Sequence, residues 1–256
     1  RRLYHWAQTV LDLVQLRRET LYIPTLVVPQ LGDFVAGYIH EELIRHSEYS
    51  MTEAVMRVAF LVSSALAMLA PHFDFIEVIG LPGNHGRFMQ QPVNKEVWDN
   101  WDYHVYQWES AFCRKLTNVF FHLPQSFATN FMAEEHMVFA MHGDGITPNT
   151  LEANARKWQE IETKSGRPFE IMLIGHLHRP IVTEMLGAVI AVNGTMAGPD
   201  GFSLRRLKSV VRPSQKMLWV HDKHGFIGSQ DIYFDDVGDE RFDDTMLNQA
   251  WGGIEV

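Results

Sequence analysis

Four short glycine-containing turns carry side chains that are able to bind a metal ion. They are Gly32-Asp33, Gly83-Asn84-His85, His142-Gly143-Asp144 and Gly175-His176-Leu177-His178. Each turn follows an apolar run that predicts a buried strand. Because the carboxyl ends of the strands in an open α/β sheet converge on one crevice, we expect the four turns to meet there.

The donor atoms in these turns are a carboxylate, an amide oxygen and three imidazoles. This mixed nitrogen and oxygen set suits zinc, manganese, iron or nickel and is poor for calcium. The carboxylate of Asp33 is able to bridge two ions, and His176 and His178 are able to reach one ion each. The alternative is that these are turn residues and hydrogen-bonded histidines, but the recurrence of one design at four strand ends argues against it.

The elements that position these turns follow from hydrophobic periodicity. Apolar runs predict strands at 22–28, 75–79, 118–122, 127–131, 136–140 and 170–174, a hairpin of 181–185 with 188–192, and a final antiparallel pair of 216–221 with 230–234. Helical spacing predicts helices at 1–20, 52–69, 94–117 and 149–164, the second of them capped by Thr52. Residues 34–50 are predicted to form a loop and a helix.

Composition indicates a single folded domain. The 256 residues are 46% hydrophobic and carry a net charge of −9, which does not favour a broad nucleic-acid footprint. We predict one domain over 1–240 and an acidic tail over 241–256. The lone Cys113 excludes an internal disulfide and favours a reducing, cytoplasmic location. The longest apolar run, 55–69, contains Arg57 and is too short to span a membrane, so no membrane association is predicted.

The four motifs, in this order and after strands, resemble the calcineurin-like metallophosphoesterase superfamily. The resemblance covers residues 27–195. It implies an α/β fold, a four-layer αββα sandwich of two mixed β-sheets flanked by helices. It also implies two divalent metal ions, with manganese expected first and zinc, iron or nickel as alternatives.

The resemblance implies a role for each motif residue. Asp33 would bridge the two ions, and His178 would serve the second one. His85 would be the catalytic imidazole near the leaving-group oxygen. The remaining ligands, which would complete the shell of the first ion, are Asn84, His142 and His176.

Two arginines lie within three residues of a predicted ligand, namely Arg87 and Arg179. They are able to hold non-bridging phosphate oxygens as substrate-binding residues, but a surface position that only borders the cleft is the favoured interpretation.

The chain departs from the superfamily pattern in two places. Gly86 follows the Asn-His pair where an aspartate is common, and this leaves the orientation of His85 open. The Asp-x-His element that supplies two ligands at the end of the first strand does not occur in the sequence. We expect that element upstream of Arg1; the alternative is an impaired first metal site.

The predicted function is a metal-dependent phosphodiesterase whose substrate is DNA, another nucleic acid or a nucleotide. The Gly-Asn-His-Gly turn is similar to phage and prophage members related to DNA-repair-type exonucleases. The alternatives are a phosphomonoesterase or protein phosphatase, and a catalytically impaired metal-binding scaffold that binds a partner. The tryptophan-rich stretch 98–108 is predicted to be core or a subunit contact of a homo-oligomer, with base stacking as the alternative. The basic cluster 205–212 is predicted to be a solvated loop.

Overall fold

The computed structural model describes residues 1–89, 97–197, 211–235 and 237. Its helices are α1 Arg2–Arg17, α2 Glu41–His46, α3 Met51–Leu69, α4 Trp101–Phe112 and α5 Leu151–Lys164. Its strands are β1 Thr25–Gln30, β2 Phe75–Gly80, β3 Val119–His122, β4 Ala128–Ala133, β5 His136–Met141, β6 Ile171–Ile174, β7 Ile181–Met185, β8 Ala188–Val192, β9 Ser214–His221 and β10 Gly225–Tyr233. The basic cluster predicted at 205–212 lies mostly outside the described residues, as does the tail 241–256.

The strands form two main sheets whose parallel strands share one carboxyl edge each. In the first sheet β1, β2 and β3 are parallel, and Gln30 pairs with Gly80 at the ends of β1 and β2. In the second sheet the order is β4-β5-β6-β8-β7. There β5, β6 and β8 are parallel, while β4 and β7 pair antiparallel at the edges.

Three apolar clusters hold four layers together. On the outer face of the first sheet, α1 and α3 pack against Ile76 and Val78. Between the sheets, Ile79 and Leu81 meet Val138, Ala140 and Ile171 of the second sheet. On the far side α5 packs by Leu151 and Ala155 onto Phe139, Met172 and Ile190. The order helix, sheet, sheet, helix confirms the predicted αββα sandwich.

The β9-β10 hairpin belongs to the layer of the first sheet. Leu218 and Val220 of β9 face the cluster between the sheets, whereas Trp219 faces the helix-side cluster. Alternate residues of a strand point to opposite faces, so this hairpin is covered on both faces like the first sheet. Its two strands are antiparallel and form a sheet of their own, whereas the strands of the first sheet are parallel.

The predicted elements occur, with shifts that have local causes. The cap of α3 is Ser50, whose side chain accepts a hydrogen bond from the Glu53 amide at 3.3 Å, so the prediction of Thr52 as the cap is wrong. Helix α4 begins only at Trp101 because Asn100 caps it and accepts from the Asp102 amide at 2.9 Å. A capping side chain sets the start of a helix because it accepts a hydrogen bond from a first-turn amide that has no partner within the helix.

Helix α3 and the turn after it form a longer apolar segment than the run 55–69, which was predicted to be too short to span a membrane. Together with the 3₁₀ turn that follows it, residues Met51–His72 are long and apolar enough, by length and composition, to cross a membrane. The fold accounts for this composition, since Val55 and Ala59 face Tyr106 of α4 while Leu66 and Leu69 lie in the cluster shared with α1. A helix that packs on several sides needs apolar residues on several faces.

His136 ties the hairpin tip to the second sheet and predicts a pH-dependent stability. Its Nδ1 lies 2.7 Å from Glu170 Oε2 and its Nε2 lies 2.9 Å from the Asp222 carbonyl. The hydrogen bond with Glu170 raises the pKa of His136. The stabilisation from the imidazolium is complete below the unfolded pKa of about 6.5 and is lost as the pH rises through the raised folded-state pKa. His136→Gln should therefore lower Tm more at acidic than at alkaline pH.

Thermal unfolding at about pH 6 and about pH 9, on either side of the unfolded histidine pKa, measures this effect. The matched control is His122→Gln, because His122 lies 3.8 Å from Glu77 and its side chain is 45% exposed. We expect that control to change Tm little at either pH. Equal losses at both pH values for His136→Gln would contradict the imidazolium assignment.

Candidate metal centre

Four of the predicted ligands meet at the carboxyl edges of the two sheets. Asp33 follows β1, Asn84 follows β2, His142 follows β5 and His176 follows β6. The ligand atoms of Asp33, His142 and His176 lie within 4.8 Å of one another. Each sheet therefore contributes two of the four side chains, and the packing of sheet on sheet brings them together.

The distances within this group match those between neighbouring ligands of one ion. Asn84 Oδ1 lies 2.9 Å from both His142 Nε2 and His176 Nδ1, and these two nitrogens are 3.2 Å apart. His142 Nε2 also lies 3.2 Å from Asp33 Oδ2. Metal–ligand bonds of about 2.0–2.2 Å place adjacent ligand atoms at about this separation.

The protonation pattern favours a cation at this point. The Leu31 carbonyl lies 2.6 Å from His142 Nδ1, so Nδ1 donates and Nε2 is the ring nitrogen that faces Asn84 and Asp33. Asp33 Oδ2 is buried, and its polar neighbour is His142 Nε2 at 3.2 Å, which donates to it only when the ring is protonated. Oxygen and nitrogen lone pairs thus converge with few donors between them, and this donor set fits a divalent metal.

The electrostatics of these groups are coupled. Burial alone would raise the pKa of Asp33, but the charge and hydrogen bond of His142 and the proximity of His85 lower it well below its usual range. Burial lowers the pKa of His142, yet the Asp33 charge outweighs it and the net pKa is raised. Burial and the charge of His142 lower the pKa of His176. These shifts favour a carboxylate at Asp33 and a neutral imidazole at His176, the forms in which both residues are able to bind a metal ion.

Three of the predicted metal ligands adopt left-handed backbone conformations. The φ angles are 60° at Asp33, 57° at His176 and 55° at His178. Such conformations are uncommon outside glycine and cost about 1–3 kcal/mol when the surroundings enforce them. Their recurrence in the two turns that carry these residues indicates that side-chain placement outweighs local backbone preference.

The orientation of His85, left open by Gly86, comes from a neighbouring loop. His85 Nδ1 lies 3.1 Å from the Ala36 carbonyl, which can only accept, so Nδ1 donates. The backbone amide of His85 donates to Asp33 Oδ1 at 2.8 Å. Gly37, at φ +66°, lets this loop approach, because a Cβ there would overlap the His85 carbonyl oxygen. The loop after β1 therefore orients the imidazole.

The other predicted residues are less fully placed. His178 shares the turn of His176, and its charge contributes to lowering the pKa of His176. It lies outside the group formed by Asp33, His142 and His176. The guanidinium of Arg87 binds the carboxylate of Asp144, and its side chain is 17% exposed. Phosphate binding by Arg87 and Arg179 stays a prediction.

Two buried residues at this site were not expected from the sequence. The carboxylate of Asp102 accepts hydrogen bonds from the amides of Asp33 and Phe34 at 3.0 Å each and of Gly83 at 2.8 Å. Asn100 Nδ2 donates to the Gly83 carbonyl at 2.8 Å. The only sequence signal was an Asn-x-Asp at the start of an aromatic helix. Burial and the Asp33 charge raise the pKa of Asp102 to about 6, although the three amides oppose the rise.

Comparisons with known proteins give similar structures only. No family model and no curated protein sequence matches the chain. A hypothetical protein from Pyrococcus horikoshii is 10% identical, with a TM-score of 0.46 over 98% of this chain and 88% of that one. Wild-type Vps29 complexed with zinc, from Entamoeba histolytica, is 14% identical, with a TM-score of 0.39 over 82% and 99%. An archaeal phosphodiesterase is 12% identical, with a TM-score of 0.38 over 82% and 98%. Likeness at this level concerns the fold alone.

Proposed function

We propose that the chain is a metal-dependent phosphodiesterase of the calcineurin-like metallophosphoesterase superfamily. The observation that supports this most strongly is the convergence of Asp33, Asn84, His142 and His176 within about one metal shell, with His85 held beside them. The buried Asp33 Oδ2 lies beside His142 Nε2, and a cation bound between them would satisfy both atoms. The order of the motifs in the sequence supports the same reading.

Each of these residues is assigned one role in phosphoester hydrolysis, either metal binding or proton transfer. Asp33, Asn84, His142 and His176 would hold a divalent ion, which supplies charge neutralisation at phosphorus and a water of lowered pKa. His85 is positioned by its Nδ1 hydrogen bond with Ala36. In the doubly protonated ring, Nε2 would carry the proton that goes to the departing oxygen, and the ring would be left neutral with its Nδ1 proton in place. The buried Leu31 contact keeps His142 in the tautomer that directs Nε2 at the ion.

We further propose that two ions bind, with manganese preferred. Oδ1 of Asp33 accepts from the His85 amide, and the buried carboxylate of Asp33 would be the group that both ions share. His178 shares the turn of His176 and would serve the second ion. Metal analysis of the purified full-length protein measures the number of ions. Two per chain supports the bridge, and one per chain contradicts it.

The substrate is proposed to be a nucleic acid or a nucleotide diester, because an aromatic shelf borders the site. The shelf consists of Tyr38, Phe88, Trp101 and His104, with ring centroids 4.7–6.2 Å apart. The Trp101 amide donates to the Gly86 carbonyl at 2.7 Å, which ties the shelf to the His85 turn. Tyr38 is 43% and Phe88 37% exposed. Exposed rings beside a phosphate site suit stacking with a base.

Phe88→Ala tests the aromatic shelf. Loss of one stacking contact should raise KM for thymidine 5′-p-nitrophenyl phosphate about tenfold, with a smaller change in kcat. The matched control is Phe75→Ala, because Phe75 is also 37% exposed but lies at the opposite end of β2. An unchanged KM in the Phe88 variant would remove the shelf from substrate binding.

The function itself is tested by turnover with manganese. The protein should hydrolyse bis-p-nitrophenyl phosphate faster than p-nitrophenyl phosphate, and chelation should abolish the activity. A strong preference for the monoester would favour a phosphomonoesterase or protein phosphatase instead. Fewer than two ions per chain together with no turnover would favour a scaffold. The cytoplasmic location, homo-oligomer formation and the relation to phage members stay predictions.

A further inference from the structure

We propose that Asn100 and Asp102 are positioning residues that hold the Asp33 turn and the Asn84 turn at metal-binding distance. The proposal rests on the proposed function in so far as these turns carry metal ligands. The bracing itself is a property of the protein alone. Neither residue belongs to the ligand motifs, and both come from the start of α4.

The carboxylate of Asp102 joins two turns that are about fifty residues apart in the sequence. One oxygen, Oδ2, accepts from the amides of both Asp33 and Gly83 at 3.0 and 2.8 Å. The other oxygen, Oδ1, accepts from the Phe34 amide at 3.0 Å. A single oxygen thus connects the backbone of one ligand, Asp33, with the residue immediately before the next ligand, Asn84.

Asn100 completes the clamp on Gly83. Its Nδ2 donates to the Gly83 carbonyl, while Asp102 accepts from the Gly83 amide. Asn100 Oδ1 in turn accepts from the Asp102 amide at 2.9 Å. The backbone of Gly83 is therefore held on both its donor and its acceptor, and the direction in which Asn84 leaves it is determined.

Gly86 makes room for this clamp. A Cβ at position 86 would overlap Asn100 Oδ1 and come within 2.8 Å of Asp102 Oδ2. Glycine at position 86 therefore leaves the space that the buried side chains of Asn100 and Asp102 occupy. The polar group beside this turn comes from α4 instead of from the turn.

A carboxylate is required because three donors face it. Asp102 and Asn100 are 0% and 1% exposed, so water cannot replace a missing acceptor. Asparagine at 102 offers one acceptor oxygen and places an NH₂ group against at least one amide. An NH₂ group in the place of Oδ1 removes the acceptor of the Phe34 amide, and one in the place of Oδ2 removes the acceptor of both the Asp33 and the Gly83 amides. In either case the Asp33 turn loses a hydrogen bond, and its ligand would move relative to the ligands from the second sheet. Ligand support of this kind is worth about 10–100-fold in metal affinity.

The experiment compares Asp102→Asn with Glu109→Gln in the full chain. Glu109 is the matched control because it lies on the same helix, is also 0% exposed and hydrogen-bonds Gln30 at 2.6 Å rather than a ligand turn. Mn²⁺ affinity is measured by titration calorimetry. Amide exchange is measured by NMR in the metal-free protein at Asp33, Phe34 and Gly83.

We expect Asp102→Asn to weaken Mn²⁺ binding about tenfold or more, with part of the turnover restored at saturating Mn²⁺. Exchange should accelerate by a similar factor either at the Phe34 amide or at the Asp33 and Gly83 amides, and Glu109→Gln should match the wild-type protein in both measurements. Wild-type Mn²⁺ affinity in Asp102→Asn overturns the proposal, whether or not exchange accelerates. So does a loss of affinity that Glu109→Gln shares.

A measurement on the wild-type protein decides the case in which Asp102→Asn does not fold. The three amides must then be protected in the metal-free protein, and exchange as fast as in exposed loops overturns the clamp. If the wild-type chain binds no Mn²⁺, the proposed function fails. The same exchange experiment still decides whether Asn100 and Asp102 brace the turns.

Discussion

Replacing His142 with alanine is expected to abolish metal-dependent turnover while the fold survives. His142 is 4% exposed and contacts Asn84, His176 and Asp33, so its removal leaves the other three side chains without the nitrogen that lies between them. If removal of this ligand costs about 4 kcal/mol of transition-state stabilisation, the rate falls about a thousandfold. The apolar clusters on both sides of the second sheet do not include His142, and for this reason the chain should still fold.

The variant should show the far-ultraviolet circular dichroism of the wild-type protein and no detectable Mn²⁺ binding. Asn84→Ala should behave in the same way, because its Oδ1 lies at 2.9 Å from both imidazoles. His122→Ala, on β3 and 45% exposed at its side chain, serves as the control and should retain full activity. Near-normal turnover in either ligand variant contradicts the assigned roles.

Replacing Gly32 with alanine is expected to separate the two ligand turns of the first sheet. A Cβ at this position would overlap the backbone nitrogen and Cα of Gly83 and come within 2.8 Å of the Pro82 carbonyl carbon. These are backbone atoms, so no change of rotamer relieves the overlap. The turn that carries Asp33 must therefore move away from the turn that carries Asn84, and hydrogen bonds of Asp102 break with it. Overpacking of this kind costs about 1–3 kcal/mol or more.

Gly187→Ala separates this overlap from backbone strain. Gly187 also has a positive φ, +76°, but nothing lies within 4 Å of a Cβ placed there. Both variants should lose about 1–2 kcal/mol to the left-handed conformation, and only Gly32→Ala should also lose Mn²⁺ binding. Thermal unfolding and calorimetric titration of both proteins measure the two effects. Equal Mn²⁺ affinity in both variants would show that the turns tolerate the extra carbon.

Much of the fold was accessible to sequence reasoning because its signals are local. Each strand that carries a ligand is a short apolar run followed by glycine and a polar side chain, and β1, β2, β5 and β6 occur within a few residues of their predicted positions. The error at the α3 cap is also local. Ser50 and Thr52 are both capping residues, and the choice between them depends on which side chain reaches an unpaired amide.

The residues that sequence reasoning missed act over long separations. Asp102 contacts Asp33 from 69 residues away, and Asn100 contacts Gly83 from 17 residues away. The guanidinium of Arg87, whose phosphate binding stays a prediction, binds Asp144, 57 residues further on. Spacing and periodicity in the sequence do not identify these contacts. Asp102 and Glu109 are both buried acids of α4, and nothing in the sequence shows that Asp102 faces a turn while Glu109 faces Gln30.

The sequence by itself determined the chemistry that is available: a carboxylate, an amide and imidazoles, each placed after a strand by a glycine-containing turn. That information is local, because the residue type and its strand lie next to each other in the chain. Only the tertiary structure decided which donors share one position. His142 meets the Leu31 carbonyl across 111 residues, and that distance depends on how two sheets pack. The structure also supplied the clamp of Asn100 and Asp102, since burial makes their hydrogen bonds obligatory and no local pattern records burial.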